Sequence, residues 1–247
     1  MIWFEKLLLG APWWLVILVI AGLAYLASRS WKLSVGVILA FFVIGLFGMW
    51  DNTMRTISII GVSTLMAIAI GIPIGILMAR YDRVQSTVTP VLDIMQTMPS
   101  FVYLIPVVML LGIGRVPGVL SVIIYAIPPV IRLTNLGIRL VDKDVLEAAN
   151  AFGASFRQRL FGVQIPLAMP NIMAGVNQTI MMALAMVVIA SMIGVKGLGQ
   201  PVLKAITNQY FSMGLFNGLA IVAIAIIFDR VSQAYGVRIQ RHRQVGH

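Results

Sequence analysis

Glu5, Asp51, Asp82, Asp93, Asp142, Asp144, Glu147 and Asp229 are the only carboxylate side chains in this 247-residue sequence, and His242 and His247 its only histidines. Groups of this kind act as general acids and bases, proton relays or metal ligands where several of them meet. Each carboxylate, however, falls in a loop or near the end of an apolar run, and both histidines fall in the tail. Neither a Ser-His-Asp triad nor a metal cluster can therefore be assembled at depth, and a proton-coupled pump is disfavoured. Sodium coupling stays open, because backbone carbonyls at broken helices can hold that ion. The glycine-rich GVKGLGQ, Gly194 to Gln200, lacks the Ser or Thr that must follow the lysine of a phosphate-binding P-loop. ATP-driven work would have to enter through a partner. Cysteine is absent, which removes thiol chemistry and leaves the redox compartment undetermined.

Polar side chains in a recognisable order occur in DKDVLEAANAFGASFRQRLFGVQIP, Asp142 to Pro166. Acidic residues come first, then small ones, then Gly153, then a basic amphipathic turn, then Pro166. The pattern predicts two short helices. Asp142 or Asp144 caps the first, Val145, Leu146, Ala149 and Phe152 share its apolar face, and Gly153 ends it in the left-handed conformation. Ser155 caps the second, with Phe156, Leu160 and Phe161 on one side and Arg157 and Arg159 on the other, and Pro166 opens the element that follows. Small residues at Ala148 and Ala149 let another backbone lie close, which a docking helix requires and a solvated connector does not.

The elements that must carry this segment follow from composition. Hydrophobic residues make up 60% of the chain and charged ones 11%, with a mean hydropathy of +0.98, whereas soluble domains are about 25% charged. A bilayer core takes about 20 helical residues at roughly 1.5 Å each. Apolar blocks of that order cover approximately 12–28, 33–50, 57–79, 99–114, 119–137, 169–195 and 213–228, which predicts an all-α polytopic membrane protein with about seven transmembrane helices. The fourth block is short and holds Pro99 and Pro106, so its helix is expected to begin earlier, near Pro90, and to be kinked or interrupted. RSWK, DNTMRT and GRVPG are expected to make tight turns. GIPIG (71–75) and AIPPV (126–130) are expected to bend helices and let backbones approach. MIWFEK sets Glu5 beside Lys6 without a cationic n-region, and no A-x-A site follows, so the first block reads as a retained helix and not a signal peptide.

The organisation expected is two peripheral N-terminal helices (1–50), a core of five helices (51–230) with the polar loop at about 138–168, and a basic tail (231–247). No gap between blocks is long enough for a separate soluble domain. Of 18 Lys and Arg residues, seven spans place thirteen on one side: Arg29, Lys32, Arg80, Arg83, Arg132, Arg139, Lys143, Arg157, Arg159, Arg230, Arg238, Arg241 and Arg243. Lys6, Arg55, Arg115, Lys196 and Lys204 fall on the other. By the positive-inside rule the N-terminus is then outside and the C-terminus cytoplasmic. The same asymmetry accounts for the net charge of +10, with the tail RVSQAYGVRIQRHRQ at anionic headgroups in preference to nucleic acid.

Glu147, Ala148, Ala149, Gly153, Val163, Ile165 and Pro166 reproduce the spacing of the EAA loop of ABC importer membrane subunits, with Val163 and Ile165 where that family usually has Ile and Leu. Farther on, NQTIMMALAMVVIASMIGVKGLGQPVL (Asn177 to Leu203), with MPSF and AIPPVIRLTNLGI upstream, resembles the glycine betaine and proline betaine permeases of that superfamily. The similarity extends from about Asp51 to the tail. It implies a type I ABC importer permease fold in the bacterial cytoplasmic (inner) membrane, without a catalytic site, metal or cofactor of its own. The implied partners are a second permease copy making a homodimer, two ATPase subunits that use ATP and magnesium, an external substrate-binding protein, and membrane lipids. In that arrangement Glu147, Ala148, Ala149 and Gly153 shape the contact with the ATPase, with Phe152, Ser155, Arg157 and Pro166 beside them. For Arg157 and Arg159 a simpler account is the positive-inside rule alone.

The resemblance also implies a compact osmolyte bearing a quaternary ammonium, such as glycine betaine or proline betaine, with choline, carnitine or an amino acid as alternatives. A methylated ammonium donates no hydrogen bond, so aromatic faces and weakly polar walls suit it. Phe101, Tyr103 and Tyr125, beside proline-disturbed backbone, and Asn177, Gln178 and Thr179, a polar run in the sixth block, are the candidates for the translocation path. Lipid contact or helix packing is the simpler account of each aromatic, and an interhelical hydrogen bond that of the amides. A self-sufficient channel or ion-driven carrier on the same spans is the competing reading.

Overall fold

The computed structural model describes residues 2–244, with side chains over 3–238, so Arg241, Arg243, His242 and His247 of the basic tail lie outside the described side chains. Every regular element among the described residues is helical. In chain order these are α1 (Ile2–Gly10), α2 (Trp13–Ser28), α3 (Trp31–Leu46), α4 (Trp50–Arg80), α5 (Asp82–Thr97), α6 (Leu104–Leu111) and α7 (Arg115–Ala126). There follow α8 (Pro128–Arg139), α9 (Lys143–Ala151), α10 (Phe156–Arg159), α11 (Ile165–Ala190), α12 (Gly199–Asn208) and α13 (Phe211–Gln244).

Four stretches are long and apolar enough to cross a bilayer alone: Trp50–Arg80, Arg115–Arg139, Phe156–Ile193 and Phe211–Arg238. Two further candidates are bent pairs, α1 with α2 at 112° and α5 with Ser100–Leu111 at 113°. α3 has 16 residues, so it is about 24 Å long against a hydrocarbon core of about 30 Å. Each apolar block of the sequence thus lies on a helix, although length alone qualifies only four as single spans.

At the centre, α8 is held between α4 and α11 at backbone distance. A methyl group at Gly71 would stand 2.4 Å from Val130 Cγ1, and one at Gly75 would stand 2.7 Å from the Ile131 carbonyl oxygen. On the other flank, a methyl at Gly175 would lie 3.1 Å from Val130 Cα and one at Gly137 3.1 Å from the Ala168 carbonyl oxygen. Ala67, Ala126, Val130 and Ala168 are completely buried in the same region. Lipid tails are as apolar as leucine, so helices in a bilayer associate through close packing of small residues and not through a hydrophobic force. Bulky side chains such as Leu18, Leu39 and Met109 point outward instead.

The GVKGLGQ segment is packed, not open. Leu198 N–H donates to Thr56 Oγ1 at 2.9 Å and Gly114 N–H to the Ile193 carbonyl at 3.1 Å. A methyl at Gly118 would stand 2.1 Å from Val195 Cγ2, and one at Gly197 2.6 Å from Thr56 Oγ1.

Several expectations need correction. DNTMRT opens α4 and most of GRVPG opens α7, while the turns fall just before them. Gly48 (φ 70°) and Gly112 and Gly114 (φ 76° and 146°) adopt the backbone those turns need. The fourth block is interrupted as expected, but its preceding helix starts before Pro90. α5 already begins at Asp82, and the chain turns sharply at Met98, whose extended ψ of 133° is what a residue before proline favours. Glu5 sits in a helix, 5% exposed, and Arg115 Nη1 donates to its carboxylate at 2.6 Å, so a charge assigned to a loop instead ties α1 to the start of α7.

Gly75→Ala should lower stability by about 1–3 kcal/mol, the usual cost of overpacking, because the new methyl meets backbone. Gly22→Ala, which meets nothing within 4 Å, should be neutral or gain up to about 1 kcal/mol from helix propensity. Thermal midpoints of the two variants in detergent check the contrast.

Candidate functional site

Between α8 and α11 the chain leaves the helical core to form a knuckle of two short helices, and each boundary has a local cause. Asp142 caps α9, its Oδ1 accepting from Asp144 N–H at 3.0 Å. α9 ends where Phe152 and Ala154 N–H groups donate back to the carbonyls of Ala148 and Ala149, at 3.1 and 3.0 Å. Gly153 takes φ 75°, the left-handed geometry that its missing side chain permits. Ser155 then builds a capping box on α10. Gln158 N–H donates to Ser155 Oγ at 3.4 Å and Ser155 N–H to Gln158 Oε1 at 2.8 Å.

A π-turn, Leu160–Gln164, joins α10 to α11, with Pro166 in the first turn of the latter. Its wider winding breaks the expected two-sided pattern. Leu160 is buried while Phe161 is exposed; Arg159, two residues and about 200° from Arg157 in α10, turns back across α9 by ordinary helical geometry. Arg159 Nη1 donates to Asn150 Oδ1 at 2.7 Å and so clips the two short helices together. From below, the Arg80 guanidinium lies 4.1 Å from the centroid of the Phe156 ring.

No side chain of α9 is buried. Glu147 and Ala148 are exposed, Ala149 is half-buried, and Phe152 is 93% exposed at the tip. An isolated nine-residue helix is marginal in water, so caps and the Asn150–Arg159 clip hold α9 while its outer face lies uncovered. That outer face presents Lys143, Asp144, Val145, Glu147, Ala148 and Asn150, with Phe152 at the tip. Among the described residues no group of three His, Cys, Asp or Glu side chains could hold a metal. Sequence reasoning overlooked Asn150, Gln158 and Arg80. The S-x-x-Q spacing of Ser155 and Gln158 was a usable signal for the second of these, while the other two act through contacts that no local pattern marks.

The six path candidates are not brought together. Phe101 is 56% exposed. Tyr103 is buried, donates its hydroxyl to the Met95 carbonyl, and packs edge-on against Tyr125 at 5.5 Å between ring centroids. Asn177 makes interhelical hydrogen bonds, donating to Asp229 Oδ1 at 3.0 Å and accepting from the Ser232 hydroxyl of α13. Gln178 is exposed and Thr179 is buried, so the polar run points three ways.

Residues 71–241 match the family model described as "Binding-protein-dependent transport system inner membrane component". The chain is similar to the glycine betaine/proline betaine transport system permease protein ProW of Escherichia coli (strain K12), 51% identical over 233 residues, which are 94% of this chain and 66% of that protein. It therefore spans slightly less than two thirds of that relative's length. Similarity to the glycine betaine/carnitine transport permease protein GbuB of Listeria monocytogenes serotype 1/2a (strain 10403S) is 46% over 226 residues, 91% of this chain and 80% of that one. Among solved structures, a chain of the "Inward facing conformations of the MetNI methionine ABC transporter" shares the fold, with a TM-score of 0.68 and 18% identity over 75% of this chain and 93% of that one.

Arg159→Ala should release α9 from α10. Exchange of the α9 backbone amides should speed up severalfold, as expected for loss of about 1 kcal/mol of local stability, with α11 amides unchanged. Hydrogen exchange read by mass spectrometry checks both halves.

Proposed function

Because the chain belongs to the family of binding-protein-dependent transport system inner membrane components, we propose that it is the membrane-spanning subunit of an ATP-driven importer for glycine betaine or proline betaine-type osmolytes. Substrate would arrive on a separate binding protein, and power would come from separate ATPase subunits bound to a pair of permease chains. The chain itself would contribute no cofactor chemistry. Its N-terminus would lie outside, with α9 and α10 facing the ATPase in the cytoplasm.

One observation carries the reading: a capped, clipped helix pair with no buried side chain on α9 projects from the ends of the two most tightly packed helices. A connector needs no such stiffness, whereas an element that passes motion between subunits does. Phe152 would enter the partner surface, Glu147 and Arg157 would border it, and Ala148, Ala149 and Gly153 would let the two backbones approach. The substrate class rests on the similarity to ProW and GbuB, whose names carry glycine betaine.

Gly153→Asp should leave the protein folded and inserted. Nothing lies within 4 Å of the new Cβ, and Asp is among the non-glycine residues most tolerant of φ 75°. A charge at the docking face should nevertheless reduce uptake and substrate-stimulated ATP hydrolysis by about tenfold or more, the effect of roughly 1.4 kcal/mol at the contact. Liposomes containing the ATPase and the binding protein read both activities, and a variant with wild-type rates would remove the coupling role.

A further inference from the structure

Beneath the knuckle lies a cavity of about 160 Å³ that the transport reading does not use. Its floor is apolar, formed by Ile76 and Ala79 of α4, Ile138 of α8 and Leu160. Arg80, Arg159, Phe156 and Gln164 make up the rest of the wall. The Arg80 guanidinium is 4.1 Å and that of Arg159 5.9 Å from the centroid of the one Phe156 ring.

These two cations have no carboxylate between them. The three ion pairs among the described residues engage Arg115, Arg132 and Arg139, and Asp82, the acidic residue nearest Arg80 in sequence, is bound by Arg139 at 2.6 Å. Arg159 spends Nη1 on Asn150, while its Nε is buried without an acceptor among the described residues. A buried guanidinium N–H without an acceptor is costly, and two like charges at one ring repel. An anion accepting from the Nη groups of both guanidiniums relieves the repulsion, and the planar forks suit phosphate oxygens.

The floor decides which anion. α4 is a membrane-crossing helix and Arg80 is its last residue, so the cavity lies where hydrocarbon gives way to headgroups. A cationic mouth over an apolar floor at that depth matches a phospholipid better than a free ion, whose hydration the floor cannot replace. We propose that this cavity binds the phosphate of an anionic membrane phospholipid, held by Arg80 and Arg159 across the Phe156 ring. Occupancy would join the end of α4 to α10 and stiffen the knuckle. The inference rests on membrane insertion and not on the identity of any transported molecule, so its test is separate from the test of transport.

The test uses the purified full chain, stripped of lipid in detergent, with phosphatidylglycerol or phosphatidylcholine of identical acyl chains. Native mass spectrometry should show phosphatidylglycerol retained preferentially, and added phosphatidylglycerol should raise the thermal midpoint. Arg80→Gln with Arg159→Gln should weaken that binding at least about tenfold, whereas Arg83→Gln, an exposed arginine away from the cavity, should not. Phenylglyoxal labelling of the unmutated chain avoids any folding defect: phosphatidylglycerol should protect Arg80 and Arg159 but not Arg83. Equal retention of the two lipids, absence of protection, or equal competition by inorganic phosphate would each overturn the lipid assignment. Protection that appears only when the ATPase is added would assign the arginines to a protein carboxylate and overturn it as well.

Discussion

The approach of three backbones around α8 is the constraint on which the rest of the molecule depends. It coincides with the places where the helices are weakest internally. Pro73 lies between Gly71 and Gly75, and Pro128 and Pro129 deprive the carbonyls of Ile124 and Tyr125 of their helical donors. Facing lipid, such defects would leave polar backbone in hydrocarbon. Around them, Gly71 packs on the side chains of Ile127, Val130 and Ile131, and Gly175 on Val130 and the Pro129 carbonyl, while Ala69 and Ile124, two of the residues whose carbonyls lose a donor, lie at the surface of the chain. Close packing of this kind has few alternative arrangements.

That rigidity reaches the knuckle through the helix ends. At the end of α8, Arg139 donates to the Met78 carbonyl at 3.0 Å, to Asn135 Oδ1 at 3.2 Å and to Asp82 at 2.6 Å, binding α8 to the end of α4. α11 is in turn fastened to α13 by Asn177, Asp229 and Ser232. The base of the knuckle is therefore cross-tied, whereas its tip relies on two caps and one clip. Local stability follows the number of buried contacts, so α9 is the part most open to being ordered by something laid against it.

How much of this could be read in the sequence depended on the range of the interaction. Hydrophobic length against bilayer thickness located every apolar block, because that comparison is local and the solvent enforces it. Capping is local too, and Asp142, Gly153 and Ser155 act as their types suggest. Side-chain direction was less accessible. Asn177, Gln178 and Thr179 are adjacent in sequence but lie about 100° apart around a helix, so a run of polar letters divided among three environments. Arg159 follows Phe156 by three residues in α10 and so shares its face, beside Asn150, while the π-turn that follows shifted the phase of Phe161 against Leu160. Pairings such as Glu5 with Arg115 join residues that no periodicity connects. The purpose of the glycines in GVKGLGQ, contact with Thr56 and Val188, emerged only from the packing.

The two ends of the bundle are closed by different physics. At one end, Val195 and Leu198 are almost wholly buried, Leu198 N–H is bonded to Thr56, and a methyl at Gly199 would stand 2.9 Å from Val188 Cα. Glu5 and Arg115 add a half-buried ion pair there, costly to separate because the buried Glu5 carboxylate would be left without its counter-charge. The opposite end has exposed Phe152 and Phe161, an uncovered α9, and arginines shared among rings and carbonyls. On the transport reading, force applied to the knuckle would swing the α4, α8 and α11 body about the sewn end, so the largest displacement would occur where the fewest native contacts have to be given up.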